Sequence, residues 1–188
     1  TYVYDEARPA TVTVTSENTV IKVYNLTDNK GGENGGPDGI PDAYEAFVEY
    51  KSVAGNVPVN GIEKDSSYVS SISETHDLRV YTEANGEKVY TLNSDGNVQL
   101  KTAITAASKT AAQQVKVDTA NYAFDNWTAY DNRTVSALAL GDQPINGVEG
   151  GKTYTFTANY AVDSWKDADK TTDPGDKDYE TGGEGIHD

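Results

Sequence analysis

The chain predicts a mostly β protein of the α+β kind: a mixed β-sheet module, sandwich-like, carrying one short helix. Three observations lead there. Apolar residues recur mainly with period two rather than 3.6, the periodic stretches are rich in Val, Thr and Tyr, and Gly-containing turn pairs separate several of them.

Taken in order, "ATVTVT" (Ala10 to Thr15) and "TVIKVYN" (Thr19 to Asn25) flank Ser16-Glu17-Asn18 and read as a hairpin. In "YEAFVEYKSV" the residues Tyr44, Ala46, Val48 and Tyr50 share one face, while Glu45, Phe47, Glu49 and Lys51 share the other, so this is a strand with one buried side. "LRVYTEANGEKVYTL" places two short strands around Asn85-Gly86, a pair that accepts the positive φ angles of a tight hairpin, and Asp95-Gly96 repeats the device. "TAITAASKTAAQQV" breaks the pattern. It is alanine-rich, Thr102 is a candidate N-cap, and Ile104, Ala107, Ala111 and Val115 fall on one helical stripe, which predicts a short helix over 102–115. "NYAFDNWTAY" adds aromatics, among which Trp127 reads as core, and "GGKTYTFTANY" closes as a strongly alternating strand.

Composition limits function. The 188 residues hold 15 Lys and Arg against 30 Asp and Glu, a net charge of −15, so the field repels nucleic acid and anionic membrane and favours cations and basic partners. Cysteine is absent, which removes disulfides, thiolate metal sites and cysteine nucleophiles. Methionine is absent too, and with Thr1 at the start the chain reads as a processed or excised piece suited to an extracellular setting. No apolar run approaches the roughly 18 residues of a membrane span, so direct membrane insertion is not expected. His76 and His187 are the only imidazoles and neither sits in a nucleophile motif; carboxylate pairs are plentiful, but a glycosidase needs two across a cleft, which spacing does not show. The expectation is no catalytic residue and no enzyme.

A weak internal repeat organises the chain. "TVIKVYNL" followed by an acidic loop ending "DGIPD" has a counterpart in "YTFTANYAV" followed by one ending "EGIHD"; from Tyr24 to Gly39 the spacing is 15, from Tyr160 to Gly185 it is 25. This predicts residues 1–27 as the end of a preceding module and 28–45 as an acidic Gly-rich loop. Residues 42–160 then form one complete module, and 161–188 a linker opening the next, with neighbouring repeats as partners.

The stretch "GGENGGPDGIPDAYE" suits an oxygen-only calcium loop, which needs carboxylates or amides about two residues apart, a Gly at the sharp turn, one backbone carbonyl and a later carboxylate. With Asn34 at position 1, Asp38 falls at 5, Gly39 at 6, the Ile40 carbonyl at 7, Asp42 at 9 and Glu45 at 12. Position 3 is Gly36, which has no side-chain ligand, so Asp28, Glu33 or water has to fill it. In the weaker second loop Glu180, Glu184, Ile186 and Asp188 take positions 1, 5, 7 and 9. The competing reading is a solvated acidic linker. Calcium here acts structurally, turning a floppy joint into a stiff one.

"GGPDGIPDAYEAFVEYKSVAG" resembles the start of a repeat in very large surface proteins of Gram-positive gut bacteria (Firmicutes), and "VEGGKTYTFTANYAVDSWKDADKTTDPG" the end of such a unit and the beginning of the next. These look like adhesin or stalk modules related to the mucin-binding and internalin B-repeat groups, and "DGIPDAYE" also resembles thrombospondin type 3-like calcium loops. The resemblance implies a β-grasp-like fold and a secreted, wall-attached parent protein. Its modules extend a distal head or themselves bind a host mucin glycan or host protein, in the alternative an immunoglobulin captured as by a superantigen; a glycan-active enzyme fragment is the remote alternative. "EGIHD" departs from the pattern, with His187 in place of proline. Tyr130 is the candidate ligand-facing aromatic.

Overall fold

The computed structural model describes residues 1–8, 10–32, 35–64, 67–69, 71–162, 165–166 and 186–187, with only the backbone for 63–64, 67–69, 71–76, 165–166 and 186–187. The predicted β class holds, in mixed sheets that include a curled half-barrel.

Strands β1 (Tyr2–Tyr4), β2 (Thr11–Val14), β3 (Thr19–Lys22) and β4 (Asn25–Thr27) open the chain. β2 and β3 form the expected hairpin with Val12 opposite Ile21, and the Thr15 hydroxyl and amide close its turn on the Asn18 carbonyl. β1 returns to pair antiparallel with β4. After the acidic loop, a single 3₁₀ turn over Asp42–Tyr44 delivers the chain into β5 (Glu45–Ala54).

β5 lies inside the seven-stranded sheet. Next come β6 (Val57–Pro58), β7 (Ile62–Lys64), β8 (Ser67–Val69) and β9 (Ser71–Asp77). β9 runs antiparallel to the first part of β5, with Asp77 opposite Glu45, and β6 pairs with its end. The alternation in β5 behaves as read on its inner side: Ala46, Val48 and Tyr50 are fully buried, while Lys51 is exposed. The outer side departs from the expectation at its first residues, because Glu45 and Phe47 are buried as well. The acidic loop covers that end, with Lys30 over the Phe47 ring and Gly31 against the Glu45 carboxylate.

β10 (Tyr81–Ala84) and β11 (Glu87–Tyr90) form the hairpin predicted at Asn85-Gly86, whose φ angles of 54° and 81° are those of a primed two-residue turn. The Asp95-Gly96 turn is closed by the Asn93 amide on the Asn97 carbonyl at 2.7 Å.

The predicted helix over 102–115 is not there. That stretch forms β12 (Ala103–Ala106), β13 (Thr110–Ala111) and the start of β14 (Gln114–Val117). Burial alternates along β12, with Ile104 and Ala106 inside and Ala103 and Thr105 outside, and Ala107 on the expected stripe is exposed. Alanine's helix preference is worth only a few tenths of a kcal/mol per residue over its competitors. Backbone pairing outweighs it here: β12 pairs with β17, β13 with β7, and the Ala112 amide bonds the Gly61 carbonyl at 2.6 Å.

β15 (Ala120–Thr128), β16 (Thr134–Val135), β17 (Gln143–Asn146) and β18 (Thr153–Val162) complete the module. β18 is parallel to β5 and antiparallel to β15, giving the path β14-β15-β18-β5-β6. Trp127, Tyr50, Phe156, Ile62, Leu78 and Ile145 fill the core, and the Trp127 indole donates to the Leu138 carbonyl at 3.0 Å. Trp127 is core, as read. β19 (Trp165–Lys166) and β20 (Ile186–His187) pair antiparallel with each other.

Candidate functional site at the acidic loop

The loop between β4 and β5 is shaped by its own carboxylates. Asp28, 1% exposed, accepts the amides of Asp38 (3.2 Å) and Gly39 (2.9 Å). Asp42 Oδ1 accepts those of Asn29 (3.0 Å) and Lys30 (3.1 Å), and Asp38 Oδ1 accepts that of Ile40 (2.9 Å). A bridge between Gly31 and Pro37 folds the glycine run back on itself. A Gly-rich acidic stretch left in water is disordered because it buries nothing; here each short side chain ties down amides that no sheet supplies.

Glu45 stands apart from the other acids. Its relative exposure is 0%, and both Oε1 and Oε2 are buried without a hydrogen-bond partner. A buried carboxylate normally takes two or more donors, because losing water without replacement costs several kcal/mol. Asp38 meets Glu45 at Gly31. A side chain there would lie 2.8 Å from Asp38 Oδ2 and 3.0 Å from Glu45 Oε2, so the two carboxylates close on one small space that glycine, at φ +92°, leaves open. Burial first, then the charges of Asp38, Asp77, Asp42 and Asp28, push the Glu45 carboxyl up to about 8.

Among the described residues no Lys or Arg is ion-paired with Glu45. Asp77, opposite Glu45, is already occupied by Arg79, whose Nε (3.1 Å) and Nη2 (3.1 Å) both reach it. Arg79 itself lies between the rings of Tyr44 (5.6 Å) and Tyr90 (5.3 Å). The Tyr44 hydroxyl in turn donates to Asp5 Oδ2 at 3.0 Å, and Asp5, fully buried, also accepts the Ala7 amide. Ala7, Tyr44 and Val98 pack as a second apolar cluster beside this contact. The segment before the loop is therefore docked on the module through the residue next to Glu45.

Two orphaned oxygens facing a second carboxylate suit a hard divalent cation, and the Glu45 pair fits a bidentate position such as calcium takes from a loop's closing acid. Among the described residues no three acidic or histidine side chains stand together as a ready cluster. Asp38 and Glu45 are the acids that approach the space at Gly31, and Asp28 and Asp42 fold the loop around it.

Of the remaining predicted positions, Ile40 lies in the loop beside Asp38, and Asn34 lies outside the described residues, as do Glu33, Glu180, Glu184 and Asp188. Ile186 is described by backbone alone, opposite Lys166. Sequence reading missed Gly31 and Asp77. Gly31 was one glycine among several, and Asp77 is 32 positions from Glu45, brought opposite it only by strand register. Tyr130 is half-buried on other elements, edge-on to Tyr154 (5.2 Å) and Phe156 (5.8 Å), and lines a cleft of its own. No protein-family model, no curated protein and no solved structure matches the chain.

Proposed function

We propose that this chain is a non-enzymatic module of an extracellular bacterial surface protein, in which calcium bound at the 28–45 loop stiffens the joint between the segment before the loop and the sheet after it. The observation that supports this best is Glu45, a fully buried carboxylate with both oxygens unpartnered, next to Asp38 in a loop already folded by Asp28 and Asp42. A cation there would offset the negative charges that, after burial, raise the Glu45 carboxyl, and it would join β4, the loop and β5. Because Tyr44 clasps Asp5 one residue before Glu45, stiffening the loop also holds the N-terminal strands in place. The surface location and the array of neighbouring repeats rest on the resemblance of "DGIPDAYE" and its flanks and on the internal repeat.

Scanning calorimetry of the chain with chelator and then with calcium tests the reading. Ligand at about 100 times its dissociation constant adds about 2.7 kcal/mol. For a domain of this size that raises Tm by roughly 5–10 °C. Superimposable scans at millimolar calcium would remove the proposal.

A further inference from the structure

We propose that the outer edge of β2 is a self-association site: a second copy of this chain pairs there antiparallel, β2 to β2, and joins the two β2-β3 hairpins into one four-stranded sheet. The hairpin's own register shows what that edge offers. At the turn the Thr15 amide bonds the Asn18 carbonyl at 2.9 Å, and in an antiparallel pair such bonds recur at every second residue. Thr11 and Thr13, opposite Lys22 and Val20, therefore turn their amides and carbonyls inward to β3. Val12 and Val14 turn theirs outward, where no described strand pairs with β2.

Natural sheets blunt an open edge with proline, with charge or with a covering segment. At the two margins of the seven-stranded sheet Pro58 stands in β6 and Lys116 in β14. β2 has neither device: Thr11–Val14 contains no proline and no charged residue, and every residue of β2 and β3 is exposed. Val12, Val14 and, across the hairpin, Ile21 share one face, at 62%, 73% and 64% exposure. A two-stranded ribbon left this bare is marginal in water.

The sequence of the edge selects its occupant. Thr11-Val12-Thr13-Val14-Thr15 reads the same in both directions about Thr13. Antiparallel strands run in opposite directions, so a two-fold axis at Thr13 sets Val12 against Val14 of the second copy, Thr11 against its Thr15, and Thr13 against its own equivalent. Each Val12–Val14 pair then exchanges the backbone hydrogen bonds that both residues hold open, and like β-branched side chains lie side by side across the new contact. Charge does not oppose the approach. The chain carries −15, yet residues 10–25 hold only Glu17 and Lys22, one of each sign, so the local charges cancel where the copies meet.

Sedimentation equilibrium of the whole chain tests the assignment. Protein from about 0.01 to 1 mM spans a dissociation constant on the order of 0.1 mM, the transient class to which so small a contact belongs. The expected result is a monomer–dimer equilibrium that closes at the dimer, with amide hydrogen exchange at Val12 and Val14 slowing as concentration rises. Thr13→Lys, an exposed change that sets like charges against each other on the axis, weakens the dimer at least about threefold. Thr19→Lys, the matching exposed change on the outer edge of β3, leaves it unchanged. A monomer throughout, oligomers beyond the dimer, or a dimer that Thr13→Lys leaves intact or Thr19→Lys weakens equally would overturn the assignment. The hairpin shares no residue with the 28–45 loop, so the runs are made with calcium and with chelator: a dimer present in both, without a calcium-dependent melting shift, sinks only the calcium reading.

Discussion

Two buried ionisable side chains at the same end of the sheet are treated in opposite ways. Arg79, 4% exposed, is provided for by the chain, with Asp77 in a two-toothed contact and a tyrosine ring on either side. Glu45, 0% exposed, has no hydrogen-bond donor on either oxygen among the described residues. A folded chain keeps few such groups, because the lost hydration is not returned. The contrast teaches where the module is complete in itself and where its chemistry points to something outside the polypeptide.

The largest break in this comparison comes from the complete side. Arg79→Ala strips Asp77 of its partner and empties the space between Tyr44 and Tyr90, so it should cost about 3–5 kcal/mol whether or not calcium is present, read by urea denaturation. Equal stability would mean that the pair is a surface contact only. Next in size is Glu45→Gln, which should abolish the calcium-induced gain of about 2.7 kcal/mol while the variant still folds, seen as coincident melts with calcium and chelator.

pH sharpens the contrast further. With the Glu45 carboxyl raised to about 8 from 4.5, the metal-free folded state binds more protons than the unfolded chain between those values. Stability attributable to Glu45 therefore falls as pH rises from about 4.5 to 8, by at most about 1.4 kcal/mol per pH unit. Glu45→Gln should lack this slope. Calcium has to displace the same proton, so its affinity should climb across that interval, measurable by titration calorimetry at pH 6, 7 and 8, all about. The smallest effect is Tyr44→Phe. It leaves Asp5 one donor short and should cost about 1 kcal/mol in a thermal melt, with the calcium response retained.

Much of the sheet was legible because its signals are local. The β5 stripe of Ala46, Val48 and Tyr50, the positive-φ pair Asn85-Gly86 and the alternating run of β18 all announce themselves within a few residues. The segment from Thr102 to Val115 was misread for the opposite reason. Its alanines pack equally well on a helix or beneath a sheet, and the choice fell to distant partners, β17 and β7, that no window of fifteen residues contains. At the loop, the spacing of Asp38, Asp42 and Glu45 was readable. What each carboxylate does was not, since Asp28 and Asp42 turned to backbone amides while Glu45 was left bare.

Taken alone, the order of residues determined the β character, the acidic balance and the position of an oxygen-rich loop at the start of a strand, all of them properties of neighbours along the chain. Only the tertiary structure decided which acid loses its water. Burial depends on the strand register that sets Asp77 opposite Glu45 and on the loop that folds Gly31 and Asp38 across it. Desolvation is a property of what surrounds a group in space, and those surroundings come from residues far apart in sequence.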